Sequence, residues 1–311
     1  MGMSRADPVP LGDVVVAGPI ELQVRDVVSG PEAVASVLAA APTNKEPLPG
    51  TTYVVVNVAA RNVGAAPLWL DNDAFAVTGG SGLISRFLGA KAPDPPLNVT
   101  LEPGNQTEGW IAFGVPIAEE PLLLLFDSLH LGGSWADRVL ALQDGARIGD
   151  VAQRIAEPNS LGAAVESALG IGETAVTAEW SVSLRDVVSG AAAFDLVDYR
   201  TGALGVGDAT GEDGSVWVAL RFAIQNVQAG GALTWFPANA FGLVDDAGNP
   251  LLDIATLTPP VPDAAGGYYP GAAREGWVMF DVPLEYATAK VRLLPFAHTA
   301  PTLDPRYFFF G

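Results

Sequence analysis

Side chains able to do chemistry are few in this chain, and their spacing limits what they can do. The two histidines, His130 and His298, fall at equivalent places in an internal repeat. One imidazole per copy cannot assemble a multi-histidine metal centre within a copy, so both are expected to bond backbone at a strand corner. Ser29 and Ser189 stand in a repeated Val-Val-Ser-Gly, without the Gly-x-Ser-x-Gly surround of a nucleophile elbow. They read as turn serines at strand ends. Clustered loop oxygens suit Ca²⁺, and two acidic stretches offer them: Asp71-Asn72-Asp73, and the run holding Asp208, Glu212 and Asp213. Neither has the alternating spacing of an EF-hand loop. The expectation is solvated turns, with Asp208, Glu212 and Asp213 kept as a weak Ca²⁺ candidate. Gly170-Ile171-Gly172-Glu173-Thr174-Ala175 has a loose dinucleotide spacing but precedes a strand rather than a helix, so it reads as a helix stop. No catalytic set and no cofactor are predicted.

Aromatic residues divide by repetition. Trp69/Trp235 and Trp110/Trp277 recur in both copies, which predicts packing between sheets. Trp135, Trp180, Tyr199, Tyr268 and Tyr269 do not recur and are predicted at the surface. Tyr268 and Tyr269 lie in loop 256–270 beside Pro259-Pro260 and Gly266-Gly267, and they are the predicted ligand-binding pair.

The elements that must position these residues are duplicated. Val24-Arg25-Asp26-Val27-Val28-Ser29-Gly30 returns as Leu184-Arg185-Asp186-Val187-Val188-Ser189-Gly190. The strand from Tyr53 to Val58, leading to Asn62-Val63, returns from Trp217 to Phe222, leading to Asn226-Val227. Pro103-Gly104, then Glu108-Gly109-Trp110 and Phe113-Gly114-Val115-Pro116, returns as Pro270-Gly271, then Glu275-Gly276-Trp277 and Phe280-Asp281-Val282-Pro283. Arg138 and the apolar run behind it match Arg306 and its own. The offset grows in small steps and never reverses, as loop insertions after one duplication require. Each block alternates apolar residues on one face and is bounded by turn residues, the pattern of short strands in a β-sandwich.

The predicted fold is therefore all-β: two tandem immunoglobulin-like β-sandwiches joined by a short helical linker. The copies span residues 13–144 and 174–311, with the linker over 145–173. Ile148, Val151 and Ile155 suggest one helical turn or two ending before Pro158, and a second short helix is expected over 161–169.

Composition sets the partners. The 311 residues are 49% hydrophobic and 16% charged, with Gly 35, Pro 25 and a net charge of −19. This balance describes a folded chain rich in turns, and the acidity repels phosphate backbones. Nucleic acid is excluded as an expected partner. No apolar run is long enough to span a bilayer as a helix. Cys is absent, so disulfides and thiolate metal sites are excluded. Met1-Gly2-Met3-Ser4-Arg5 runs into Asp7-Pro8 without an apolar leader, so an export signal or lipid anchor is expected to lie outside this sequence.

The repeated Arg-Asp-Val-Val-Ser-Gly, the Asn-Val turn and the Pro-Gly…Glu-Gly-Trp-x-x-Phe-x-Val-Pro block together resemble an immunoglobulin-like family of unknown function. That family is related to the mycobacterial immunoprotective extracellular antigen. The resemblance covers nearly all of both copies. It implies an extracytoplasmic protein, secreted or lipid-anchored, and it carries no catalytic residues across. The expected function is a noncatalytic binding or structural module facing a protein or polysaccharide at the cell surface. The alternative is a subunit that assembles by strand pairing through segments 13–17 or 307–310. A metal-dependent hydrolase using the loop carboxylates is the remaining reading.

Overall fold

The computed structural model describes residues 1–86, 90–131, 137–197, 214–251, 256–257, 259–284, 290–293 and 304–310. The chain divides into two compact units, Met1–Asp150 and Val151–Gly311. Both are β-sandwiches built to one plan.

In unit 1 a first sheet runs in the order β1 (Val15–Ala17), β2 (Ile20–Ser29), β3 (Thr51–Asn62) and β8 (Gln106–Pro116). The second runs β10 (Arg138–Ala141), β9 (Leu123–Phe126), β5 (Phe75–Thr78) and β6 (Ile84–Arg86). A ribbon of β4 (Leu68–Leu70) and β7 (Val99–Leu101) lies between them in sequence. Period-two alternation sets the core: Val54, Val56 and Val58 of β3 and Ile111, Phe113 and Val115 of β8 all point inward and are buried together with Phe75 and Phe126.

Unit 2 repeats this with β11 (Thr174–Val176), β12 (Trp180–Ser189), β13 (Ser215–Asn226), β18 (Ala273–Pro283) and β16 (Thr256–Leu257) in one sheet. The opposing sheet is β15 (Phe241–Val244), β19 (Lys290–Leu293) and β20 (Arg306–Phe309), and the ribbon is β14 (Thr234–Phe236) with β17 (Gly266–Tyr268). Register slips once in each first sheet, between Val24 and Asp26 and between Leu184 and Asp186, so Arg25 and Arg185 sit at matching bulges.

The Ser-Gly turns expected at the ends of β2 and β12 open helices instead. Helix α1 (Gly30–Ala40) starts after an extended Ser29 with Pro31 in its first turn, where a missing N–H costs nothing. Its Ala33 and Val37 pack on Tyr53, Val55 and Ala112, covering half of the outer face of the first sheet. In unit 2 the five-residue α2 (Ala191–Asp195) covers the same half, with Ala193 on Trp217, Ala219 and Met279.

The helical linker is not formed. Residues 145–173 hold one 3₁₀ turn, Val165–Ser167, and no α-helix. Helical turns this short are costly to nucleate, and their backbone groups find ready partners in the sandwiches. Part of the stretch is an arm already present in unit 1. There Val9 and Val139 bond through the Val9 N–H at 2.8 Å, and Val139 and Ala141 donate to Gly2 and Val9. In unit 2 Leu169 donates to Tyr307 at 2.9 Å, while Tyr307 and Phe309 donate to Gly162 and Leu169. Each arm makes a parallel bridge to the last strand, Val9 to Leu140 and Leu169 to Phe308. Glycine opens both arms because φ is +77° at Gly2 and +68° at Gly162, and a Cβ would meet Val9 at 2.5 Å or Leu169 at 3.0 Å.

Tyr268, predicted as a surface ligand residue, belongs to the core of unit 2, and Tyr269 is buried beside it. Alternation along β17 turns the Tyr268 ring inward, where it meets Trp180 edge-on at 5.4 Å, and its hydroxyl donates to the Ala264 carbonyl at 2.7 Å. Trp180, also expected outside, is buried, with its ring 5.0 Å from Phe236. These rings fill space that smaller aliphatic residues fill in unit 1.

Asn62 and Asn226, the repeated Asn of the Asn-Val turn, are fully buried. The Asn62 amide donates to Ala66 and Leu101 at 2.8 Å each and accepts from Gly64 at 2.9 Å. Asn226 donates to Tyr268 at 3.1 Å and accepts from Gln228 at 3.0 Å. Asn62→Ala strands these backbone groups, with an expected loss of about 2–3 kcal/mol confined to the unfolding transition of unit 1 in urea. Burial pushes the Tyr268 hydroxyl up to about 12 from 10.0. Its neutral form is the one the fold favours, so this contribution is full below pH 10 and is lost between pH 10 and about 12. Tyr268→Phe removes that decline, which denaturation of both proteins across this range would reveal.

Candidate functional site

Alternation within the β4–β7 ribbon decides where the repeated tryptophans go. Leu68 and Leu70 face the core, so Trp69 between them faces water, with 56% of its surface exposed. Phe236 is buried and Trp235 before it is 43% exposed. The prediction that repetition makes Trp69 and Trp235 core residues is therefore corrected. Strand periodicity was the signal that could have found this, because Leu-Trp-Leu puts its middle residue on the other face. Trp110 and Trp277 are not between the sheets either. They lie half-buried on the outer face, against the clusters under α1 and α2.

Trp69 is held rather than loose. Its indole Nε1 donates to Asp71 Oδ2 at 3.0 Å, and Asp71 Oδ1 accepts from the Asp73 N–H at 3.1 Å to cap the 3₁₀ turn Asn72–Ala74. Asp71, raised above as a loop oxygen for Ca²⁺, spends its carboxylate fixing the indole. Across the ribbon Trp69 pairs with Thr100, and Trp235 pairs with Gly267, so nothing bulky stands opposite either ring on its partner strand.

A second repeated feature lies on the half of the first sheet's outer face that the helices leave open. In unit 1 a depression of about 380 Å³ lies over Ala59, with Gln23, Arg25, Arg61 and Glu108 around it. In unit 2 one of about 380 Å³ lies over Ala223, with Ser183, Arg185, Gln225 and Glu275 around it. The small outward residues Ala59 and Ala223 and the matching bulges at Arg25 and Arg185 make the hollow in both. Its charges are largely engaged with one another. Arg61 reaches Glu21 at 3.7 Å, Arg185 reaches Glu275 at 3.8 Å, and Arg221 reaches Glu275 and Asp186 at 3.5 Å while lying 5.6 Å from the Trp277 ring.

Asp208, Glu212 and Asp213 lie outside the described residues, as do Trp135, Tyr199 and His298. The backbone of His130 falls in the 3₁₀ turn Ser128–Leu131. Among the described residues, no three His, Asp or Glu side chains come together in a way that would hold a metal ion. No described helix is long and apolar enough to cross a membrane.

The segments predicted to offer free strand edges are largely engaged. The outer edge of β20 carries the 162–169 arm. The Val16 carbonyl of β1 accepts from the Arg138 guanidinium at 2.9 Å.

Residues 9–136 match the model of a domain of unknown function, DUF4352. No curated protein matches the chain. The yjhA protein from Bacillus subtilis is a similar solved structure, 12% identical, covering 43% of this chain and 99% of that one, with a TM-score of 0.31. The secreted protein MPT63 from Mycobacterium tuberculosis is 15% identical, covering 44% of this chain and 98% of that one, with a TM-score of 0.30. A putative lipoprotein, ycdA, from Bacillus subtilis is 16% identical with a TM-score of 0.31, covering 42% of this chain and 39% of that one. The residues that the family model matches include both strands of the ribbon that carries Trp69, and the match agrees with the immunoglobulin-like resemblance of the repeated blocks.

Proposed function

We propose that this chain is a noncatalytic extracytoplasmic bacterial module, secreted or surface-anchored, which binds a cell-surface polysaccharide or protein through two like faces. The observation that carries this reading is the outward indole at the same place in both units, Trp69 and Trp235. Burying an indole is the ordinary way to gain stability from it, and both copies forgo that gain. A flat apolar ring held at a fixed angle by Asp71 suits stacking against a sugar face or an apolar side chain. Two such rings on one chain permit bivalent attachment to a repetitive surface, which raises avidity without new contacts. The extracytoplasmic placement rests on the family resemblance and is tested separately by fractionating cells.

Intrinsic tryptophan fluorescence during titration with purified cell-wall polysaccharide, and then with solubilised surface protein, tests the binding reading. Saturable change in the emission is expected with one of the two. Trp69→Ala and Trp235→Ala each remove one attachment point, and each is expected to weaken binding to intact cells by about 100-fold through lost avidity. Both side chains are exposed, so the stability of each variant should stay within about 0.5 kcal/mol of the parent. Unchanged binding by the double variant would sink the proposal.

A further inference from the structure

In unit 2 the outer face of the first sheet holds a guanidinium among three neighbours. Arg221 stands on β13 between Asp186 of β12 and Trp277 of β18, its direct partners across the two ladders. It meets Asp186 Oδ2 at 3.5 Å and Glu275 Oε2 at 3.5 Å, and it lies 5.6 Å from the centre of the Trp277 ring. Arg185, at the bulge, reaches Glu275 at 3.8 Å as well. Two carboxylates thus face two guanidinium groups, and the local charge is balanced.

The repeat puts Arg25, Asp26, Glu108 and Trp110 at the same positions in unit 1, but residue 57 is Asn where residue 221 is Arg. The register is unchanged, with Asn57 paired to Asp26 on one side and to Trp110 on the other. The Asp26 carboxylate is also set in the same way. Its Oδ1 accepts from the Val27 N–H at 2.9 Å, as that of Asp186 accepts from the Val187 N–H at 2.9 Å. The oxygen that meets Arg221 in unit 2 is the other one. In unit 1 Arg61 takes Glu21 at 3.7 Å, and among the described residues Arg25, Asp26 and Glu108 form no ion pair. Asn57 is only 4% exposed, and its amide oxygen has no hydrogen-bond donor. Folded proteins seldom leave a buried acceptor so, because it has given up water for nothing. Unit 1 therefore keeps the two carboxylates and the indole of the Arg221 site with one cation fewer, and adds a buried oxygen that lacks a donor.

We infer that this part of unit 1 is a binding site for a guanidinium group from another molecule, held between Asp26, Glu108 and the Trp110 ring. The hollow over Ala59, which Arg25 and Glu108 line, gives the approach. A planar guanidinium suits the site better than an ammonium. It forks to carboxylates, stacks on an indole and has N–H groups to spare for Asn57. Arg25 is no obstacle, since two guanidinium groups already share Glu275 in unit 2. An arginine side chain of a partner protein and a small guanidino compound both carry this chemistry. The inference uses neither Trp69 nor Trp235, so it and the reading they support can each fail alone.

The test is an NMR titration of the isotope-labelled full chain, followed through its indole N–H signals, with that of Trp110 assigned by its loss in Trp110→Phe. N-acetyl-arginine amide is expected to shift the Trp110 signal saturably, and the corresponding lysine amide to bind more weakly. Asn57→Arg supplies the guanidinium from within, as unit 2 does, and should weaken binding by about tenfold or more. Glu108→Gln, an exposed substitution that spares the fold, should weaken it by about tenfold too. A glycine-flanked arginine peptide that binds at least about tenfold tighter than the amide assigns the site to a partner protein, whereas equal affinities assign it to a small guanidino ligand. Absence of a saturable shift would overturn the inference, as would a shift that survives both variants. Equal binding of the lysine amide would overturn the choice of guanidinium.

Discussion

Closing the outer strand edges is the constraint on which the rest of each unit depends. A sandwich leaves rows of backbone N–H and C=O groups at the ends of its sheets, and each bare row is a template for unwanted pairing. Both units solve this at the last strand in the same way. A short arm preceding the first strand lies along β10 in unit 1 and β20 in unit 2, anchored by Val9 or Leu169 and opened by a glycine with positive φ. The Arg138 and Arg306 side chains then reach across to the first strand, so the first and last strands of each unit are tied through one guanidinium. These arms also set where a copy begins. The stretch that looks like a linker in sequence is partly the opening of the second sandwich.

Inside, one backbone plan tolerates two different fillings. Ile20, Val58, Leu70, Leu101 and Leu140 of unit 1 correspond to Trp180, Phe222, Phe236, Tyr268 and Phe308 of unit 2, all buried. The larger rings meet one another edge-on, at centroid distances of 5.0 to 6.3 Å. The sum of side-chain volume has changed, but the inward pattern has not, and cores accept such repacking when the pattern is kept. What stays constant is polar: Asn62 and Asn226 bind the corner between β3 or β13 and the following ribbon, because an unpaired buried carbonyl there has no other partner.

Repetition and function are separable on this scaffold. The Asn of the corner and the arginine of the edge recur because the fold needs them. Trp69 and Trp235 recur without being needed by the core, and the hollows over Ala59 and Ala223 recur on a face open to solvent. The places where the copies differ are equally informative. Where unit 1 places Leu101 in its core, unit 2 places Tyr268, whose hydroxyl then needs the Ala264 carbonyl as its partner.

Duplication and strand class were legible in the sequence, because offset and alternation are local properties of residue order. The family resemblance was carried by those same blocks. The interior of unit 2 was not legible: Tyr268-Tyr269 among prolines and glycines has the composition of an exposed loop, and only pairing of β17 with β14 turns the first ring inward. Trp69 and Trp235 were misplaced for a different reason, since repetition was weighed above the alternation that puts them outside. The expected linker helices rested on apolar spacing alone, whereas the tertiary structure offers that backbone Gly230, Val227, Val176 and Tyr307 as partners. Sequence thus determined which residues form strands and which copies match. Tertiary structure decided which face each strand shows and which edges are covered, because burial and edge pairing depend on neighbours that are distant in the chain.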